Sequence, residues 1–472
     1  MHETSDRDRG AQHANDQPRT TTGRREFVKL VGAGATVGAL GGSTLGTAAG
    51  LPGDPTPRLH RDGNVVRDPS GNQVTLHGLN VVDPRRANAN VDWTLPIEDL
   101  IELATNPDEG WNAQVIRLPL QPVDIADPTG DYGEPEPGNF DQTRLESYLE
   151  NHVDSAVEAC RERGVYCIVD YHRHRTTDFT TAALDEEVTM FWETVAPRYA
   201  EDSHVLYEVY NEPIGANRGG YGSDQAEQSF LRWRETAQQW VDVIQNEAPE
   251  APVIVGSPSW SQYTYLAPDN EFEGDNLMYA GHVYAHEYLR PLSESFGAPA
   301  EEVPVFMTEW GFDSTGGSES HLNGTVDTEG EQFQSFYEEY DHVHSTAWIL
   351  SHFWSPTMVD ESYEVATEYG SLVQDFLESK ADVQRPGDGD SGSDPVEPPE
   401  ENRPSWPGNA TDPDGDGRYE DLNGNGEADY SDVVEYFNGM DSEGMQNDVQ
   451  YYDYNGNGDV DYADLVELFN QI

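Results

Sequence analysis

An α/β fold, a closed (β/α)8 TIM barrel followed by a linker and a small, mostly helical domain, is what this sequence predicts. Three observations carry the prediction. From about residue 58 to 380, short apolar runs alternate with amphipathic stretches of helical period. Those runs are nearly continuous rather than alternating, as in parallel strands covered on both faces. After them, an acidic element rich in asparagine and glycine is written twice near the C-terminus.

In chain order, residues 58–73 read as a hairpin that closes the barrel floor. The strands follow at 74–80 (VTLHGLN), 113–119 (AQVIRLP), 165–171 (VYCIVDY), 205–210, 253–257 (VIVGS), 277–284 (LMYAGHVY), 303–308 and 346–351 (TAWILS). Helical periodicity is clearest over 141–163, 184–201, 224–247, 330–341 and 369–380. Eight such units fit a closed barrel. A doubly wound open sheet is the alternative, but no glycine-rich phosphate loop follows the first strand. The barrel domain is expected over 55–383. Over 384–408 the composition turns to Pro, Gly, Ser, Asp and Glu, which makes a solvated linker, and 409–472 form the small domain. Cys160, near a helix end, and Cys167, inside the next strand, are expected as two separate buried thiols rather than a bridge.

The charge balance is extreme: 89 acidic side chains against 26 basic ones, a formal net of −63, in 472 residues. The only lysines are Lys29 and Lys380. Carboxylates spread through periodic segments suit a surface for concentrated salt, where self-repulsion is screened. They repel phosphates, which argues against nucleic acid as a partner. Residues 1–50 read as an export signal: Arg24-Arg25 precede a short, glycine-interrupted apolar stretch resembling a twin-arginine leader. Secretion is therefore expected, with no membrane span in the mature chain.

Two strands end in glutamates. Val205-Leu-Tyr-Glu-Val-Tyr runs into Asn211-Glu212-Pro213, and Val303-Pro-Val-Phe-Met-Thr runs into Glu309-Trp310-Gly311. In a parallel barrel, chemistry sits at the C-terminal strand ends. Paired carboxylates there are what retaining glycoside hydrolysis requires: one protonates the leaving oxygen and the other attacks the anomeric carbon. A strand-end glutamate with no partner would simply be solvated.

Four blocks in order carry a family resemblance: Ile168-Val-Asp-Tyr-His172, the Asn-Glu-Pro block, Val253 to Gln262 continuing to Met278–Tyr284, and Val305-Phe-Met-Thr-Glu-Trp-Gly311. The chain resembles glycoside hydrolase family 5, closest to bacterial-type endo-β-1,4-glucanases, over most of 58–380. The resemblance implies Glu212 as general acid/base and Glu309 as nucleophile. It implies that Arg117 hydrogen-bonds the nucleophile, that Asn211 reaches the sugar 2-hydroxyl, and that His172, His282 and Tyr284 line the cleaved-sugar subsite, with Tyr284 bonded to Glu309. Sugars pack flat on indoles. Trp348 matches the tryptophan beneath the cleaved sugar, with Trp354 a nearby competitor, and Trp260 fits an adjoining subsite. Trp93, Trp192, Trp233 and Trp240 read as packing residues. Two departures lie near the sugar grooves: Ala347-Trp348-Ile-Leu-Ser-His352-Phe lacks the family's lysine, and Asp170-Tyr-His172 replaces Asp-Trp-His. These leave the exact polysaccharide open.

The C-terminal duplication resembles a dockerin pair with EF-hand-like calcium loops. Oxygen donors at alternating positions are Asp421, Asn423, Asn425, Asp429 and Asp432, then Asp453, Asn455, Asn457, Asp461 and Asp464, with Gly426 and Gly458 at the sharp turns. Short amphipathic helices follow at 433–437 and 465–469. Asp412, Asp414 and Asp416 read as a third site or, by preference, a solvated turn. Metal binding is expected to supply much of this domain's folding energy. A cohesin-like protein is the partner that the resemblance implies.

Together these expectations describe a secreted, salt-adapted, retaining endo-β-1,4-glucanase acting on β-glucan without a catalytic cofactor, with Ca2+ confined to the C-terminal domain. A β-mannanase on the same carboxylates is the near alternative; a non-catalytic carbohydrate-binding barrel is the distant one.

Overall fold

The computed structural model describes residues 56–381, apart from 91–93, 127–132 and 318, together with parts of 410–471. The expected export signal, the linker, Trp93 and the Asp412–Asp416 run lie outside the described residues.

Strands β1 (His60–Asp62) and β2 (Val65–Arg67) form an antiparallel pair. They turn at Gly63, whose φ of 64° favours glycine. Eight parallel strands follow: β3 (His77–Asn80), β4 (Val115–Leu120), β5 (Tyr166–Tyr171), β6 (Val205–Glu208), β7 (Val253–Val255), β8 (Leu277–Val283), β9 (Val305–Trp310) and β10 (His344–Ala347). β10 pairs with β3, so the sheet closes into a (β/α)8 barrel. Every residue of these eight strands is buried, which accounts for their unbroken apolar runs. Leu59 and Val66, at the hairpin, pack with Val115, Tyr166, Leu206 and Phe306 from the strand beginnings. The hairpin thus plugs the N-terminal end and leaves the other end free for a site.

The outer helices start where capping side chains satisfy their first amides. Ser223 caps Asp224–Glu247, Thr181 caps Ala182–Val195, and Thr367 caps Glu368–Lys380. The expected helix at 141–163 is one helical run, Gln142–Glu162, with a wider turn at Leu149–Val153. Glu331–Glu339 follows a similar wide turn.

Two differences from the sequence reading matter. The last strand ends at Ala347, not 351: beyond it the regular ladder stops, although Trp348 N still donates to Trp310 O and Leu350 N to Asn80 O. Two helices, Pro84–Ala89 and Ile97–Ala104, lie between the first two barrel strands, where the sequence reading places no element. The first begins on Asp83, whose carboxylate accepts from Arg85 N and Arg86 N. The second buries Ile97, Leu100, Ile101 and Ala104 at helical spacing.

Cys160 and Cys167 are both buried and unbridged. Trp192, Trp233 and Trp240 are buried, and their indole N–H groups donate to Val209 O, Gly256 O and Asp185 Oδ1. Among the described residues, no helix is long and apolar enough to cross a membrane.

In the C-terminal segment, helices Val449–Tyr452 and Tyr462–Gln471 are described. A small apolar cluster there includes Leu422, Tyr436, Met445, Tyr452 and Leu468. Of the ten expected calcium ligands, Asp432 and Asp464 are described, and both are buried. Asp421, Asn423, Asn425, Asp429, Asp453, Asn455, Asn457 and Asp461 lie outside the described residues.

Candidate active site

Arg117 stands in the middle of β4, fully buried, at a position that points into the barrel. An unpaired guanidinium there would be very costly. Three carboxylates meet it: Glu208 Oε2 at 2.6 Å from Nε, Glu309 Oε1 at 2.9 Å from Nη1, and Asp170 Oδ2 at 3.0 Å from Nη2. Nη2 also donates to Asn211 Oδ1 at 2.7 Å, and Nη1 to Asn80 Oδ1 at 3.0 Å. Because its oxygen is held by Arg117, the Asn211 amide turns its other end away. That Nδ2 donor is buried and has no protein partner.

Beyond β6 the chain runs along the β5 loop, with Asn211 N on Tyr171 O and Glu212 N on Arg173 O. This carries Glu212 over the strand ends towards β8 and β9. One donor atom from each of Glu212, His282 and Glu309 lies within 4.8 Å of the other two. His282 Nδ1 is 3.0 Å from Glu212 Oε1 and 3.6 Å from Glu309 Oε2. Tyr284 Oη donates to Glu309 Oε2 at 2.6 Å. The Glu309 side chain is 5 % exposed and that of Glu212 is 15 %, so Glu212 is the more open to an arriving molecule. Glu212, His282 and Glu309 have the composition of a metal site, yet a cation among them would face the Arg117 guanidinium on Glu309.

Burial opposes charge at His282, Glu309 and Glu208. It pulls His282 down, but Glu309, Glu208 and Glu212 push the imidazole up to about 10. Burial raises the Glu309 carboxyl, against His282, Arg117 and Tyr284, which hold its anion. Burial works the same way on Glu208, where Arg117 and His282 prevail and keep the carboxyl below its ordinary value. The Tyr284 phenol is pushed well up by burial and by Glu309, so it stays a donor.

His172 follows β5. Its Nδ1 is 2.6 Å from Asp170 Oδ2, and burial and Arg117 keep its ring well below the usual histidine range. Trp348 lies flat against it, ring centroids 5.6 Å apart and 6° from parallel. Trp354 neighbours Trp348 in turn, with Arg86 over its ring at 4.8 Å. The two tryptophans compete for one role in the sequence; in space their rings are near-parallel neighbours, 6.2 Å apart and so not in face-to-face contact.

Trp260 sits beyond β7 in a left-handed turn, where Ser259, Trp260 and Ser261 have φ of 64°, 60° and 54°. Such conformations persist for ordinary residues only when surroundings enforce them. Here Ser259 N donates to Ile214 O, Trp260 N to Pro213 O, and Ser261 Oγ to Asn211 O at 2.7 Å. The turn is therefore riveted to the loop that bears Glu212. Arg218 covers one face of the Trp260 ring at 4.4 Å.

All nine expected site residues of the barrel thus belong to one connected assembly. Sequence reasoning missed Asp170, Glu208, Asn80 and Thr308. A signal was present for two of them: Asp170 and Glu208 are lone carboxylates inside otherwise apolar strands, where only a buried partner stabilises them.

A model of the family described as cellulase (glycosyl hydrolase family 5) matches residues 68–353. Endoglucanase A of Evansella cellulosilytica is 29 % identical over 219 residues, 45 % of this chain and 40 % of that protein. Endoglucanase A of Butyrivibrio fibrisolvens is 24 % identical over 323 residues, 68 % of this chain and 65 % of that protein. The chain therefore spans less than two thirds of the length of either relative. A beta-glucanase from Saccharophagus degradans, solved in complex with cellotetraose, superposes with a TM-score of 0.57 at 22 % identity, covering 70 % of this chain and 95 % of that one. The catalytic domain of an endoglucanase from Thermobifida fusca gives 0.54 at 22 % identity, covering 70 % and 100 %. At that identity the structural likeness establishes the barrel fold.

Proposed function

The chain belongs to the cellulase family, glycosyl hydrolase family 5, and from that membership we propose that it is a retaining endo-β-1,4-glucanase, exported and adapted to salt. One observation carries the reaction type: carboxylate oxygens of Glu212 and Glu309 lie within 4.8 Å. Retaining enzymes hold the pair about 5 Å apart, whereas inverting ones leave roughly 6.5–9.5 Å for a water.

In this reading a glucan chain lies across the strand ends with one ring against Trp348. Glu309 attacks the anomeric carbon as the bond to the leaving oxygen breaks, and Glu212 delivers a proton to that oxygen. Arg117 and Tyr284 orient the Glu309 carboxylate, and the vacant Nδ2 of Asn211 donates to the sugar 2-hydroxyl as positive charge develops on the ring. Glu212 then takes a proton from water, whose oxygen displaces Glu309. The relatives' names, both endoglucanases, favour β-glucan as substrate.

The experiment is a panel of carboxymethylcellulose and glucomannan at several salt concentrations, with Glu309→Ala alongside. Cleavage of carboxymethylcellulose is expected, lost by about 10⁴-fold or more in the variant. Preference for glucomannan would make the protein a β-mannanase. Unchanged cleavage by the variant would end the enzymatic assignment.

For the C-terminal segment the reading is a calcium-organised, dockerin-like docking module that takes a cohesin-like partner. The duplicated acidic loops support that reading, and their last donors, Asp432 and Asp464, are both buried. A bound Ca2+ would supply folding energy to so small a module. Phe437 and Phe469, equivalent in the two copies, are exposed, as is Tyr462, whose ring lies 5.9 Å from that of Phe437. Exposed aromatics on a small module suit a docking face.

A further inference from the structure

We propose that Thr308 and Glu208 are positioning residues that fix which nitrogen of His282 carries its permanent proton, so that the other nitrogen shares a single proton with Glu212. The inference rests on the reading of Glu212 as the acid/base. It starts from an unbroken line of contacts. Glu212 Oε1 is 3.0 Å from His282 Nδ1, His282 Nε2 is 2.9 Å from Thr308 Oγ1, and Thr308 Oγ1 is 2.9 Å from Glu208 Oε1.

The donor directions along this line follow from Glu208. Its other oxygen receives Arg117 Nε at 2.6 Å inside a fully buried site, which holds it as an acceptor-only carboxylate. A threonine hydroxyl has one hydrogen. Facing a carboxylate, Thr308 gives that hydrogen to Glu208 and accepts from His282. His282 Nε2 therefore carries a hydrogen, and Nδ1 is left to face Glu212. One proton lies between Nδ1 and Glu212, held either as the acid hydrogen-bonded to a neutral ring or as the carboxylate hydrogen-bonded to imidazolium. When the glycosidic bond breaks, its electron pair goes to the leaving oxygen, and this proton passes to that oxygen through Glu212. A proton from the incoming water restores it after hydrolysis of the glycosyl-enzyme.

Other charged groups around the ring set the background without setting the tautomer. Glu309 Oε2 lies 3.6 Å from Nδ1 and favours a proton there. Arg117 and Asp170, from β4 and β5, largely offset one another, being paired at 3.0 Å. His172 adds no charge, and Tyr284, next along the chain from β8, donates to Glu309 rather than to the ring.

The test is Thr308→Val, which keeps the shape and removes the hydroxyl, compared with Thr308→Ser, which keeps it. Each is assayed in concentrated salt on two β-cellobiosides: one with a poor leaving group that needs protonation, one with 2,4-dinitrophenolate, which does not. Thr308→Val is expected to lose about tenfold more kcat/KM on the poor leaving group than on the good one. The basic limb of its pH profile should move to lower pH, because imidazolium loses its Nε2 acceptor. Thr308→Ser should restore both. Equal loss on the two substrates, or an unmoved basic limb, overturns the proposal and leaves Thr308 a packing residue. Failure of the underlying reading looks different: Glu212→Ala would then keep wild-type discrimination between the two leaving groups.

Discussion

Arg117 is the residue on which the site's electrostatics turn, because one guanidinium serves Asp170, Glu208 and Glu309 within 3.0 Å. Removing it leaves three buried carboxylates without their cation. Arg117→Met should destabilise the barrel by about 3–5 kcal/mol, read as a lower urea midpoint at fixed salt. Part of this was legible. Glu212 and Glu309 were recognisable from their strand-end motifs, since the expected chemistry needs carboxylates there, and Arg117 from the family resemblance. Their partners were not. Asp170 and Glu208 stand out only as lone carboxylates that need some buried partner, and Thr308 looks like an ordinary strand residue, until the barrel closes and places three strands' side chains around one point. The contacts of Arg117 with Glu208 and Glu309 join residues 91 and 192 positions apart, and the local sequence does not name such partners.

At the scale of elements, strong local signals and tertiary constraints divided the outcome. The helix Asp224–Glu247 was legible to the residue, because Ser223 caps it and its apolar face repeats with helical period. The end of β10 was not, since Trp348-Ile349-Leu350 is as apolar as a strand and still bonds Trp310 O and Asn80 O through Trp348 N and Leu350 N, although the regular ladder stops at Ala347. Helices Pro84–Ala89 and Ile97–Ala104 carried readable signs, an Asp-Pro start and buried positions at 97, 100, 101 and 104. The β3–β4 pairing makes its own prediction. A Cβ on Gly78 would lie 1.8 Å from Val115 O, a backbone atom that cannot move without opening the sheet. Gly78→Ala should cost about 3 kcal/mol or more, seen as loss of the cooperative thermal transition or of soluble protein.

For the whole molecule, composition said most about solvent and least about shape. A net charge of −63 fits a protein kept soluble by hydrated carboxylates and screened by salt. The chain's C-terminal duplication was visible as a repeat without any structural knowledge. The calcium dependence proposed for it is expected to be separable from the barrel's chemistry. Chelation should increase proteolysis within 409–472 and abolish capture of a cohesin-like partner, while hydrolysis of soluble β-glucan by the barrel stays within about twofold. Retention of protease resistance after chelation would show that the module folds without metal.

The rivets between the Trp260 turn and the Asn211–Ile214 segment give the barrel something like a balance arm. In the proposed reading, a sugar settling on that indole leans on the same peptide that aims Glu212. Oligomers too short to reach it forfeit alignment as well as grip, so chain length should register in turnover and not merely in how much substrate is needed to fill the cleft.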